Sequence, residues 1–109
     1  MDFFLFGSRA TGKAKADSDW DVLVKSHATV NCGSTAYEML SALLDKVGDV
    51  EKIKLGIANA LNIPASDEIH LFIEAEFIFS NGNRRTDNLC PDDYDSAPAI
   101  GHNIQFQIN

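Results

Sequence analysis

The chain has 109 residues, of which 45% are hydrophobic and 23% are charged, and its formal net charge is −7. This composition is typical of a globular domain, and we expect residues 1–109 to form a single one. No apolar run is long enough to span a membrane and no signal peptide is evident, which predicts a cytoplasmic protein. The acidic balance argues against extended nucleic-acid binding, which depends on basic surface.

The sequence contains two cysteines, Cys32 and Cys90. Two cysteines do not make a disulfide framework, and these two do not form a Cys-x-x-Cys pair. We interpret them as unpaired thiols, which agrees with a reducing cytoplasm.

Two short strands are predicted in the first 24 residues. The apolar run Phe3–Phe6 forms the first, after which Gly7 turns the chain. We expect Ser8 to cap a short helix over residues 9–16, whose first N–H groups favour an anion. Residues 19–24 form the second strand. Its alternation places Asp19, Asp21 and Leu23 on one face and Trp20, Val22 and Val24 on the other, apolar face.

Two helices are predicted in the middle of the chain. Residues 26–34 are polar and predict a loop before them. Thr35 and Glu38 match a capping box at the start of the first helix. Asp49 is a suitable cap for the second helix, which Pro64 ends.

The strongest strand signal covers residues 68–79, and Asn81-Gly82 predicts a tight hairpin after it. The structure of residues 83–109 stays unclear from the sequence. Residues 83–87 make a poor strand, the next stretch is irregular, and only residues 104–108 alternate as an edge strand would. The element order predicts an α+β fold, close to α/β, in which helices pack on one face of a small mixed sheet.

The second strand presents Asp19 and Asp21 side by side, and two such carboxylates can share one or two divalent cations. Mg²⁺ or Mn²⁺ would suit these oxygen ligands, with the phosphates of a substrate completing the set. Gly7-Ser8 would supply N–H groups and a hydroxyl to a triphosphate. Alone, a pair such as Asp19 and Asp21 is commonly only a solvated strand end, and Gly7-Ser8 is commonly only a turn. Their combination favours a site that binds metal and phosphate. Balancing positive charge would come from Arg9, Lys13 or Lys15.

The segments Gly7-Ser8-Arg9-Ala10-Thr11-Gly12 and Ser18-Asp19-Trp20-Asp21-Val22-Leu23-Val24 resemble the motifs of the DNA polymerase beta nucleotidyltransferase superfamily. The likeness is greatest to its minimal nucleotidyltransferases and covers about a quarter of the chain. The resemblance implies that the Gly-Ser turn and Arg9 bind the nucleotide and that Asp19 and Asp21 bind metal. It also implies transfer of a nucleoside monophosphate from an NTP to a hydroxyl acceptor, with release of pyrophosphate.

The sequence departs from this family at the third catalytic carboxylate, which lies on a later strand and can also act as base. The expected position holds His70. Glu74 and Glu76 share its predicted face, and we prefer Glu74 as the third catalytic residue, although both glutamates also fit a solvated face. His70 as metal ligand or base is a further alternative. The helix that usually precedes the first strand is also not seen, which suggests a reduced or divergent member.

The acceptor stays open: a protein side chain, an RNA end or a small molecule, with a protein partner as one possibility. Two other functions remain for a chain that has lost the third carboxylate. It would be a binding protein that keeps the fold, as in family antitoxins that pair with a helical toxin, or a nucleotide-binding domain that needs another chain for catalysis.

Overall fold

The computed structural model describes residues 1–92 and 106–108. The elements are β1 (Asp2–Phe6), α1 (Ser8–Thr11), β2 (Trp20–Cys32), α2 (Ala36–Val47), α3 (Val50–Leu61), β3 (Ile69–Phe79), β4 (Arg84–Leu89) and β5 (Phe106–Ile108). They form a five-stranded sheet in the order β4-β3-β2-β1-β5. The β2–β3 pair is parallel and the other three pairs are antiparallel. The predicted α+β fold with a mixed sheet is confirmed.

The main core lies between α2, α3 and one face of the sheet. Alternate residues of β2 and β3 point into it, as their period of two predicts. Each fully buried aliphatic side chain contributes about 1.5–3 kcal/mol to folding. Since the helices cover this face, Asp21, the carboxylate of β2, lies on the other one. The fully buried aliphatic side chains of the core include Val22, Val24, Leu71, Ile73, Leu43 and Ile57.

The face opposite the helices is also partly apolar. Leu23, Phe72 and Cys90 are buried there, and Phe4 and Phe6 pack against them. Phe6 is opposite Asp21 on β1, and Leu23 lies two residues after Asp21 on β2. The Asp21 carboxylate therefore lies at the edge of this apolar cluster rather than in open solvent. Both cysteines are free thiols, as predicted.

The predicted caps of α2 and α3 are confirmed. Thr35 Oγ1 accepts a hydrogen bond of 3.1 Å from the Glu38 N–H, and its hydroxyl donates to Glu38 Oε1 at 2.8 Å. Asp49 Oδ1 accepts from the Glu51 N–H at 2.9 Å, and α3 ends ahead of Pro64. Among the described residues, no helix is long and apolar enough to cross a membrane.

The predicted loop over residues 26–34 is wrong, because β2 continues through most of it. A bulge between Lys25 and Thr29 shifts the pairing with β3. Within the bulge, the Ser26 hydroxyl donates to the carbonyl oxygen of Glu74 at 2.6 Å. A polar side chain thus replaces part of the backbone ladder, and regular pairing resumes afterwards.

The predicted hairpin at Asn81-Gly82 is confirmed by a hydrogen bond of 2.8 Å from the Gly82 N–H to the carbonyl oxygen of Phe79. Residues 83–87, judged a poor strand, belong largely to β4, which pairs with β3. Strand propensity depends strongly on such pairing, so composition alone misjudged this segment.

The predicted edge strand over residues 104–108 is confirmed where it is described, since β5 pairs with β1. The predicted irregular stretch over residues 88–103 lies in part outside the described residues, and its first two residues belong to β4.

Candidate active site

Asp21 lies where β1, β2 and β3 come together. In the β1–β2 pair it is opposite Phe6, the residue before Gly7. In the parallel β2–β3 pair it is opposite His70. The strand order therefore puts the Gly7-Ser8 turn on one side of Asp21 and His70 on the other.

Gly7 fits this position for two reasons. Its φ is +73°, in the left-handed region that favours glycine. A Cβ on Gly7 would also overlap the Oδ2 atom of Asp21. The backbone of the turn thus packs directly against the carboxylate, which only glycine permits without displacing one of them.

The helix after the turn is shorter than predicted. It covers four residues, starting at Ser8, and ends at Gly12 in a left-handed conformation. Ser8 does not cap it: Gly7 takes the cap position and no side chain makes a capping hydrogen bond. The first N–H groups of a helix have no partner inside it, and here they follow directly on the glycine that contacts Asp21.

The side chain of Asp21 is half-buried, with 27% of it exposed. Burial raises its pKa above the usual range, although His70, with Nδ1 3.3 Å from Asp21 Oδ1, acts to lower the same pKa. The charge of Asp19 raises the pKa of Asp21 further. An ionised Asp21 is therefore costly in the protein alone, and a cation bound beside it would offset that cost.

Asp19 comes just before β2 and is exposed. No group of three or more His, Cys, Asp and Glu in the described ranges lies close enough to hold a metal ion. The donor types nevertheless fit a divalent cation, because carboxylates commonly hold Mg²⁺ together with substrate phosphates. A cation here would need Asp21, Asp19 and the oxygens of a bound nucleotide.

The later strand brings His70 to Asp21, and not Glu74 or Glu76. Glu74 is opposite Lys25, four residues from Asp21, which corresponds to about 13 Å along a strand. Glu76 lies farther away and pairs with Arg84. The catalytic role of Glu74 stays a prediction that its placement does not support.

Arg9 fixes the segment that leads to Asp19. Its Nη2 donates to the carbonyl oxygens of Ser18, at 2.9 Å, and Ala16, at 3.3 Å. Its guanidinium lies 4.3 Å from the ring centroid of Trp20, a cation–π contact. Nucleotide binding by Arg9 therefore stays a prediction, while its contacts show a positioning role that the sequence did not indicate. Lys13 and Lys15 are exposed.

A cavity of about 750 Å³ opens beside Asp19 and His70. Most of its charged groups are acidic, and Lys54, its basic residue, is paired with Asp92 at 2.7 Å. No local pattern in the sequence predicts this cavity, because its walls come from segments distant along the chain. The other acidic residues that line it are Glu51, Asp67 and Glu68.

Residues 1–85 match the family model described as a nucleotidyltransferase domain. The chain belongs to that family. Neither the curated proteins nor the solved structures contain a significant match. Nucleotidyl transfer is the general activity of nucleotidyltransferase domains, and the matched range contains the Gly7-Ser8 turn, Asp19, Asp21 and His70.

Proposed function

We propose that this nucleotidyltransferase domain transfers a nucleoside monophosphate from an NTP to a hydroxyl acceptor, with Mg²⁺ or Mn²⁺ as cofactor. One observation carries the proposal: the Asp21 carboxylate lies between the Gly7-Ser8 turn and His70, with Asp19 just before it in the chain. Phosphoryl-type transfer requires mainly such positioning and charge neutralisation.

In this reaction the acceptor hydroxyl oxygen forms a bond to the α-phosphorus. The bond from the α-phosphorus to the bridging oxygen breaks, and pyrophosphate leaves with that electron pair. The hydroxyl proton passes to water. A bound divalent cation supplies charge neutralisation for the phosphates and the attacking oxygen.

The residues of the chain contribute binding and orientation. Gly7 permits the backbone of the turn to lie close to a bound phosphate. The N–H group and the hydroxyl of Ser8 would bind phosphate oxygens. Asp19 and Asp21 would hold the cation. Arg9 keeps the segment before Asp19 in place through its two carbonyl contacts.

The cavity beside His70 is the proposed acceptor site. It is lined by Asp19 and by His70, the β3 neighbour of Asp21, but not by Asp21 itself. The Gly7-Ser8 turn follows β1, on the other side of β2, so phosphates and acceptor would approach from different sides. The acidic lining of the cavity disfavours a polyanionic acceptor such as an RNA end. A small molecule or a side chain of a protein partner fits better.

A second candidate is a binding protein that keeps the fold without catalysis. Two observations favour it. The β3 residue opposite Asp21 is His70, where the family resemblance implies a carboxylate, and the described residues hold no group of three metal ligands. Such a protein would bind its partner equally well with or without Asp19 and Asp21.

The test is a transfer assay with each of the four labelled NTPs and Mg²⁺ or Mn²⁺, reading pyrophosphate release and label on candidate acceptors or on the protein itself. Asp19→Asn and Asp21→Asn should each lower turnover by about a thousandfold, or about 4 kcal/mol of lost transition-state stabilisation. Asp45→Asn, an exposed carboxylate on α2, serves as control. Turnover that survives both site substitutions would contradict the proposal.

A further inference from the structure

We propose that His70 is a metal ligand of the nucleotide site and gives it a preference for first-row transition-metal ions over Mg²⁺. The proposal rests on the proposed function, because the phosphates of a nucleotide complete the ligand set. It assigns to His70 a role that decides which cation the site selects.

The distance between the two donor atoms fits a shared ion. His70 Nδ1 and Asp21 Oδ1 are 3.3 Å apart. Two donors bound to one metal at about 2.1 Å lie about 3.0 Å apart in octahedral and about 3.4 Å apart in tetrahedral geometry. The contact between His27 Nε2 and Asp2 Oδ2 is different, since at 2.7 Å it is a direct hydrogen bond.

Both donors are held in place by the fold. Asp21 and His70 are directly opposite each other on paired strands. The His70 ring packs against Phe72, with centroids 4.6 Å apart, and the Asp21 carboxylate packs against Gly7. The side chains of His70 and Asp21 remain 36% and 27% exposed, so an ion can reach them.

The donor chemistry sets the preference. Mg²⁺ binds oxygen ligands and keeps several waters. First-row transition-metal ions accept a nitrogen ligand more readily, and their affinities for such a site rise from Mn²⁺, the weakest, through Co²⁺ to Cu²⁺. A carboxylate at position 70 would make an all-oxygen site. The imidazole exchanges one oxygen for nitrogen, and so weakens Mg²⁺ binding relative to the transition-metal ions.

Mn²⁺ is the probe, added to the full chain with α,β-methylene analogues of the four NTPs, which are not cleaved. Electron paramagnetic resonance gives the Mn²⁺ affinity, the Mg²⁺ affinity by competition, and the hyperfine coupling of a bound imidazole nitrogen. The variants are His70→Ala and His70→Asp. His27→Asn is the matched control, because it removes a second His–Asp pair of the described residues and asparagine tolerates the positive φ of 59° at that position.

The wild type and His27→Asn should show imidazole coupling and bind Mn²⁺ at least tenfold more tightly than Mg²⁺. His70→Ala should lose the coupling and about tenfold or more in Mn²⁺ affinity. His70→Asp should lose the coupling and bring the Mn²⁺ and Mg²⁺ affinities at least tenfold closer.

Coupling that persists in His70→Ala, or an unchanged affinity ratio in His70→Asp, would overturn the proposal. Tight binding of metal and nucleotide without coupling in the wild type would overturn it too, while leaving the proposed function intact. If neither the wild type nor His70→Asp binds metal with any nucleotide analogue, both the ligand role and the proposed function fail.

Discussion

The described part of the chain contains two histidine–aspartate pairs, and the pKa values of their aspartates are shifted in opposite directions. His27 and Asp2 form a hydrogen bond of 2.7 Å, with 64% and 45% of their side chains exposed. That bond lowers the pKa of Asp2. His70 and Asp21 are 3.3 Å apart and less exposed, and burial raises the pKa of Asp21 despite the histidine.

The surroundings of a histidine–aspartate pair, and not only its residue types, therefore decide whether the pKa of the aspartate is raised or lowered. The exposed pair is a surface contact of small energetic value. The half-buried pair keeps a carboxylate where its charge is poorly solvated, next to a glycine that a larger residue cannot replace. Folding alone does not favour that arrangement, but a site that receives a cation and phosphates does.

Among the substitutions that test the difference between the two pairs, Gly7→Ala is expected to have the largest effect, on turnover. A residue other than glycine at a φ of +73° costs about 1–3 kcal/mol, and its Cβ would also displace the Asp21 carboxylate. We expect nucleotidyl transfer to fall about 100-fold, as shifts of about 1 Å at a reacting centre can cause. The measurement is turnover together with the free energy of unfolding.

Gly48→Ala is the matched control. Gly48 combines a φ of +83° with a ψ of −143°, close to the +73° and −156° of Gly7, so its backbone strain is comparable, but nothing lies within 4 Å of the added Cβ. It should lose similar stability and keep its turnover. Equal losses of turnover in the two variants would show that backbone strain, rather than contact with Asp21, matters.

A smaller effect, on the Tm, also distinguishes the two histidine–aspartate pairs. Because the pKa of Asp21 is raised in the folded protein, its neutral form contributes to stability. That contribution is complete below the usual pKa of aspartate and is lost as pH rises through the raised folded-state pKa. Asp21→Asn removes that loss and should raise the Tm at about pH 6. The lowered pKa of Asp2 has the opposite sign, so Asp2→Asn should lower the Tm at the same pH.

The Tm difference of Asp21→Asn should fade as pH falls below the usual pKa of aspartate, and that of Asp2→Asn should fade only as pH falls through the lowered folded-state pKa of Asp2. Thermal unfolding of the three proteins without metal or nucleotide provides the measurement. A lower Tm for Asp21→Asn at about pH 6 would mean that the Asp21 carboxylate is stabilised, not penalised, in the fold.

The sequence could predict features that depend on neighbouring residues. The alternation along residues 19–24 predicts Asp21 away from the core, and the caps Thr35 and Asp49 mark the starts of α2 and α3. It misjudged residues 26–34, because the Ser26 hydroxyl takes over part of the strand pairing, which composition does not reveal.

Features that depend on strand register could not be predicted. His70, Glu74 and Glu76 alternate on β3, and a shift of two or four residues against β2 would satisfy the same hydrophobic pattern. Only the parallel pairing, which joins segments almost fifty residues apart, puts His70 rather than Glu74 beside Asp21. The contact of Arg9 with Trp20 likewise has no local signal.

Calorimetric titration of NTP with divalent cation into the wild type, Asp21→Asn and Asp2→Asn tests the central claim most directly, because binding does not depend on knowing the acceptor. If Asp21 holds the cation that bridges to the nucleotide, the wild type and Asp2→Asn bind NTP only with the cation, and Asp21→Asn loses about tenfold or more in affinity. Cation-dependent binding that Asp21→Asn leaves unchanged, or that Asp2→Asn weakens equally, would contradict the claim.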